Sequence, residues 1–194
     1  MKSVLLICFF TTSLVFSQDL SEYNTKRSNI DQRLMLTLGS WATVNFIGGG
    51  IGWASSQGGE AKYFHQMNVM WNTVNLGLAI PGYIKAKRSN VSMVFSQTLE
   101  EQQRTEKILL FNVGLDVTYM TAGFLLRNEA KYNLEKRDQF NGFGNSLLLQ
   151  GGFLFLFDIA AHAIHANHRK KGLNPIINRL SMSSTGIGFR WELN

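Results

Sequence analysis

From Tyr63 to Ile84 the chain carries no Lys, Arg, Asp or Glu, yet the stretch is not uniformly apolar. Placed on a helix, His65, Asn68, Asn72 and Asn75 follow one another at spacings of three and four, so they share one narrow face. Ala79 and Gly82 continue that face, and Val69, Met70, Val74, Leu78 and Ile80 fill the other sides. A helix lying on the wet surface of a soluble protein puts charge on its outer side. A stripe of amides with apolar flanks suits the reverse arrangement, with polar partners inside and lipid or core outside.

The rest of the chain follows the same plan. Mean hydropathy is close to zero (−0.04) because the charges are bunched into connectors between long uncharged runs. Leu34 to Gln57 has no charged residue and is long enough to cross a bilayer. It holds Trp41, Asn45, Trp53 and the cluster Gly48 to Gly52, where Gly48 and Gly52 form a small-xxx-small pair that lets a second backbone come close. A loop at these glycines is the alternative; a phosphate loop fails for want of a following Lys-Ser/Thr. The short turn around Gln57-Gly58-Gly59-Glu60 makes the first two helices antiparallel neighbours. The second helix ends at Pro81-Gly82 or runs on with a kink to Lys85.

After a polar linker, Ser89 to Gln97, the run Thr98-Leu99-Glu100-Glu101 matches a capping box. The helix it opens is apolar from Ile108 to Leu126, with Asn112, Asp116, Tyr119 and Gly123 on one face. A charged connector, Arg127 to Asp138, leads to a fourth run, Phe140 to Ile164, whose only ionisable residues are Asp158 and His162. Leu148, Gly151, Phe155, Asp158, His162 and His165 line one side of it, and Asp158 and His162, four apart, are placed to hydrogen-bond directly. Arg169, Lys170 and Lys171 followed by Gly172 and Pro175 form a helix stop.

The two ends differ from this pattern. Met1 to Ser17 has Lys2, an apolar run and Ser17 before Gln18, the layout of a secretory signal. The single cysteine, Cys8, lies inside it, so the mature chain would hold no thiol and no disulfide. Residues 18–32 read as a polar, exposed lead-in, with Ser28 and Asp31 resembling a helix start. In residues 173–194, Ile187, Phe189, Trp191 and Leu193 alternate with Gly188, Arg190 and Glu192 at a strand-like period of two. The predicted fold is therefore all-α: a four-helix, membrane-embedded bundle over residues 33–172, with a short strand-like tail packed on the bundle or the membrane surface.

Leu38-Gly39-Ser40-Trp41, the Gly48 to Trp53 segment, and above all Tyr63-Phe64-His65-Gln66-Met67-Asn68 with Trp71-Asn72 and Asn75-Leu76-Gly77 resemble an uncharacterised bacterial family. Its members are short, signal-bearing, multi-helix proteins filed as a domain of unknown function. The resemblance covers roughly Arg33 to His165. It implies an all-helical, membrane-associated fold and carries over no activity.

The function classes narrow accordingly. A net charge of +6 invites nucleic acid, but no basic helix with interleaved aromatics is present, so the basic clusters read as membrane-flanking charge. No nucleophile motif or catalytic carboxylate pair stands at a recognisable spacing, which points away from an enzyme. His65, Asn68, Asn72, Asn75, Asn112, Asp116, Asp158 and His162 are the candidate ligand-binding residues, because polar groups within apolar spans turn inward and find partners. One version has His65, Asp116, Asp158 and His162 holding a metal or small polar ligand, although the Glu-x-x-His repeat of bundle metal sites is missing. In another the groups bond to one another and fix helix register, and in a third Asp116 and Asp158 serve a proton or solute pathway. No cofactor is expected; the expected partners are the bilayer and a membrane protein or a second copy of the chain. A peripheral or soluble envelope bundle acting as an interaction module is the remaining alternative.

Orientation brings a conflict. Thirteen basic residues flank the bundle on the side of the first span's start, and five on the other. The positive-inside rule then puts both termini in the cytoplasm, whereas a cleaved signal puts the mature N-terminus outside. Either the signal is misread, or one run does not cross, or the bundle sits elsewhere than the inner membrane.

Overall fold

The structure is a computed structural model that describes the backbone of residues 2–89, 91–183 and 186–189, and the side chains of residues 20–89 and 91–177. These residues form four long helices: α1 (Lys2–Ser55), α2 (Gly59–Lys87), α3 (Phe95–Glu129) and α4 (Arg137–Gly172). A short α5 (Asn174–Arg179) and a hairpin of β1 (Leu180–Ser183) and β2 (Gly186–Phe189) follow. The hairpin pairs Leu180 with Phe189 in antiparallel register, so the period-two pattern does form a strand; Trp191 and Leu193 lie outside the described residues.

The helices pack as two antiparallel hairpins. In α1–α2, Gly39 lies against Ala79 and Gly49 against Asn68, while Ser28 Oγ donates to the Ala86 carbonyl at 2.7 Å. In α3–α4, Gly123 lies against Gly144, and Gln102 Nε2 donates to the His165 carbonyl at 3.0 Å. Helix α2 also meets α4, where Gly142 abuts the Glu60 carbonyl and Phe64, and this contact joins the two hairpins. The small residue opposite Asn68 is Gly49, not Gly48, which has no neighbour within 4 Å; Gly52 receives the His65 ring.

Two expectations are corrected, for residues 18–32 and for Thr98, and two open choices, at the glycine cluster and at Pro81, are decided. Residues 18–32 are not an exposed lead-in: α1 runs through them unbroken, and Leu20, Tyr23, Asn24, Arg27 and Ser28 are buried. Their seven-residue pattern of inward positions continues that of the span, so the helix packs there as it does further on. The glycine cluster Gly48 to Gly52 likewise stays helical. Helix α2 continues through Pro81 to Lys87. Helix α3 starts at Phe95, so Thr98 does not cap it; Thr98 is fully buried and its hydroxyl accepts from Asn24 Nδ2 at 2.9 Å. The bundle thus has an extra storey, built from residues 20–28 of α1, the start of α3, the end of α4, and α5. Leu20, Tyr23, Leu173 and Ile176 form its core, with Phe95 and Leu99 against them.

Next to this storey the bundle is turned inside out. Its outer surface presents Leu36 to Trp53 on α1, Met70 to Ile84 on α2, Ile108 to Leu125 on α3 and Leu149 to Ile164 on α4, with large apolar side chains exposed along each. At 1.5 Å per residue these stretches rise about 21–26 Å, close to the depth of a hydrocarbon core. Across the same depth the buried residues include Asn68, Asn72, Asn75, Asp116, Ser146, Gln150 and Asp158. By length and composition, Leu20–Ser55, Phe95–Glu129 and Arg137–Ile177 are each apolar enough to cross a membrane.

Candidate functional site

The polar seam has two parts. The first centres on Asn68 of α2 and Gln150 of α4. Asn68 Oδ1 accepts from Ser146 Oγ at 2.8 Å and from Gln150 Nε2 at 2.9 Å. Gln150 Nε2 also reaches Asn45 Oδ1 at 3.3 Å, and its Oε1 accepts from Trp41 Nε1 at 2.9 Å. Three helices therefore meet at one fully buried glutamine. Trp41 is held flat by Phe153, the ring centroids 3.9 Å apart. Further along α2, Asn72 Nδ2 donates to the Asn68 carbonyl at 2.8 Å, and Asn75 Nδ2 to Asn72 Oδ1 at 3.3 Å. The asparagine stripe faces inward, as its spacing predicts.

The second part surrounds a cavity of about 430 Å³. Asp116 of α3 and Asp158 of α4 stand within hydrogen-bonding reach of each other on its wall, with Asn112 beside Asp158. Asn75, Trp71 and Tyr119 also line it, Trp71 edge-on to Tyr119 at 4.6 Å. Leu38, Leu154 and Phe157 give it apolar walls, and Asp31 and His165 close the end towards the extra storey. His165 is fully buried, its Nε2 3.1 Å from Asp31 Oδ1 but poorly angled for a hydrogen bond. Among the described residues, Trp71 Nε1, Asp116 Oδ2 and both ring nitrogens of His165 make no hydrogen bond.

Beyond the cavity an ion pair, a neutral hydrogen bond and a stacked ring pair join the helices. Arg169 Nε donates to Glu106 Oε1 at 2.8 Å, Tyr23 Oη donates to Gln102 Oε1 at 2.8 Å, and His168 stacks on Tyr23 at 4.0 Å.

Of the predicted residues, the structure joins Asn68 to Asn72 and Asn75, and Asn112 to Asp116 and Asp158. It does not bring His65, Asp116, Asp158 and His162 to one point. His65 packs on Gly52 near the α1–α2 turn, and His162 Nδ1 lies 3.3 Å from the Glu106 carbonyl. Asp158 turns to Asp116 and Asn112 rather than to His162, because α3 presents its polar face to that turn of α4. Among the described residues, no group of three or more His, Cys, Asp or Glu is placed to hold a metal ion. Sequence reasoning missed Gln150, Ser146, Asn24, Thr98 and Gln102. The spacing Ser146, Gln150, Leu154, Asp158, His165 carries the buried stripe of α4, and two polar residues four apart in an uncharged run were the signal for it.

Fold and site together define a helical bundle with an apolar exterior and a hydrogen-bonded polar interior. The chain belongs to a family of unknown function (DUF6992), whose family model matches residues 37–159. The match takes in both parts of the seam as far as Asp158 and ends before His162 and His165. No curated protein and no solved structure matches the chain.

Proposed function

We propose that the chain is a non-enzymatic, multi-pass membrane protein of the bacterial cell envelope, exported by a signal at residues 1–17, whose polar seam fixes helix packing and forms a site for a small polar ligand. One observation carries this reading. Over some 25 Å of bundle the outward side chains are uncharged and mostly apolar, while the two carboxyls at that depth, Asp116 and Asp158, are buried against each other. A charged side chain in hydrocarbon costs at least about 2.5–3.5 kcal/mol on insertion scales, so a membrane selects for this inversion and water selects against it. Helix α2 is not among the helices apolar enough to cross by composition, and it carries Asn68, Asn72 and Asn75 on its buried face. It runs alongside α1 and crosses wherever α1 does. Interior groups bonded mainly to one another suit a structural role, and the second part of the seam, where they are not, suits a ligand.

Extraction tests the reading. Membranes washed in alkaline carbonate should retain the protein in the pellet. Recovery in the supernatant would show instead a peripheral bundle whose apolar faces meet a partner protein.

A further inference from the structure

The cavity between the four helices is acceptor-rich. Three carboxylates reach it, Asp31, Asp116 and Asp158, and among the described residues lining it there is no Lys or Arg. Asp116 is 2% exposed and Asp158 5%, so water does little to screen them. Two carboxyls in contact away from water require a proton or a cation between them, since like charges so placed cannot both persist. Among the described residues, Asp116 Oδ2 and Trp71 Nε1 make no hydrogen bond, nor do the ring nitrogens of the fully buried His165 at the cavity's far end, whose Nε2 faces Asp31 at 3.1 Å. These are separate elements pointing the same way. Intrahelical and interhelical bonds satisfy the first part of the seam, whereas this part is left with free hydrogen-bonding capacity around a space of ligand size.

We infer that this cavity binds a small organic cation, a protonated amine on an apolar or aromatic body, with the ammonium seated between Asp116 and Asp158. Each part of the wall has a counterpart in such a ligand. The paired carboxyls and Asn112 accept hydrogen bonds from the ammonium, and the aromatic rings of Trp71 and Tyr119 lie on the same wall. Leu38, Leu154 and Phe157 receive the apolar body. An anion is excluded by the same carboxylates. Leu78, 62% exposed, marks the mouth, which opens on the apolar outer surface, so the amphipathic ligand enters with its body first in contact with that surface.

The inference deepens the ligand-binding half of the function proposed above, and its test is independent of membrane insertion because it uses the full chain purified in detergent. Phenethylamine, 2-phenylethanol and phenylacetate are titrated in turn, with tryptophan fluorescence as the readout. Phenethylamine should bind saturably, and the isosteric neutral alcohol at least about tenfold more weakly, with phenylacetate not binding. Asp116→Asn and Asp158→Asn, which keep the shape and remove the charge, should each weaken the amine at least about tenfold. Equal affinity for amine and alcohol, no saturable amine binding, or unchanged binding in both variants would overturn the inference. Should the Asn variants not fold, Leu78→Trp decides, since it fills the mouth from an exposed position. It should abolish amine binding, and an unchanged affinity would overturn the inference.

Discussion

Gly144→Val should disrupt the α3–α4 hairpin and cost at least about 3 kcal/mol, at the upper end of overpacking penalties. A Cβ on Gly144 would fall 2.7 Å from the Gly123 carbonyl oxygen, and a Cβ on Gly123 would fall 2.8 Å from the Gly144 carbonyl oxygen. Each glycine thus faces the other's backbone, which has no rotamer to change. The two helices must separate, and the contact between Asp116 and Asp158 would go with them. Gly152→Val is the control: nothing lies within 4 Å of its Cβ position, and valine is better tolerated in a helix than glycine. Thermal unfolding in detergent, followed by circular dichroism, should show a large loss of stability for the first variant and wild-type behaviour for the second. Equal melting of Gly144→Val and wild type would mean that the close approach of α3 and α4 is wrong.

Gln150→Leu carries the next largest effect. The side chain is fully buried and makes three hydrogen bonds, from Trp41 Nε1 and to Asn68 and Asn45. Interhelical bonds in membranes average about 0.6 kcal/mol and reach about 1.7. Removing all three and stranding the Trp41 N–H, itself worth about 1–3 kcal/mol when unsatisfied, should destabilise the fold by about 2–3 kcal/mol. Leucine fills similar space, so the loss reports polarity rather than a cavity. Asn68→Leu removes an acceptor that Gln150 shares with Ser146, so the double variant should be less destabilised than the two single losses added together. Denaturation of the four proteins in mixed micelles measures this, and strict additivity would show that Asn68 and Gln150 do not act as one network.

These two sites show how much of the molecule was legible in the sequence. The inward stripe of α2 was read correctly, because His65, Asn68, Asn72 and Asn75 stand in a run without charge where few other choices of face exist. The antiparallel pairing of α1 with α2 was equally plain from the turn at Gly58, whose positive φ of 150° only glycine accepts readily. On α4 the phase was misjudged. Taking Asp158 and His162 as a bonded pair rotated the face by a fraction of a turn, which hid Ser146 and Gln150 and left His165 at its edge. That bond was plausible within one helix, but Asp158 finds Asp116 across the interface, and single-helix spacing contains no information about a neighbour's polar groups. The burial of α1 residues 20–28 was hidden for a related reason. Residues 20–28 are mostly polar, and their burial depends on Thr98, Gln102 and Ala86, which are distant in sequence and supply the partners.

The Gly48 and Gly52 pair illustrates a finer error. The small-residue motif was rightly placed on α1, yet the contact uses Gly49 and Gly52, one turn apart, because α2 crosses at His65 and Asn68. A motif at spacing four names a helix surface only to within a residue or so; the partner helix decides which glycine it needs.

The account depends most on apolar side chains facing lipid while polar ones face each other. Single cysteines at Val74, Phe111 and Leu156, in a Cys8→Ser background, test it directly with a membrane-impermeant maleimide on open membrane vesicles. All three positions are more than half exposed on the bare bundle, as is Tyr132 in the α3–α4 connector, the aqueous reference. The account predicts rapid labelling of Tyr132→Cys and none at Val74→Cys, Phe111→Cys or Leu156→Cys until the membrane is dissolved in SDS. Labelling of those three as fast as Tyr132→Cys in intact membranes would contradict it.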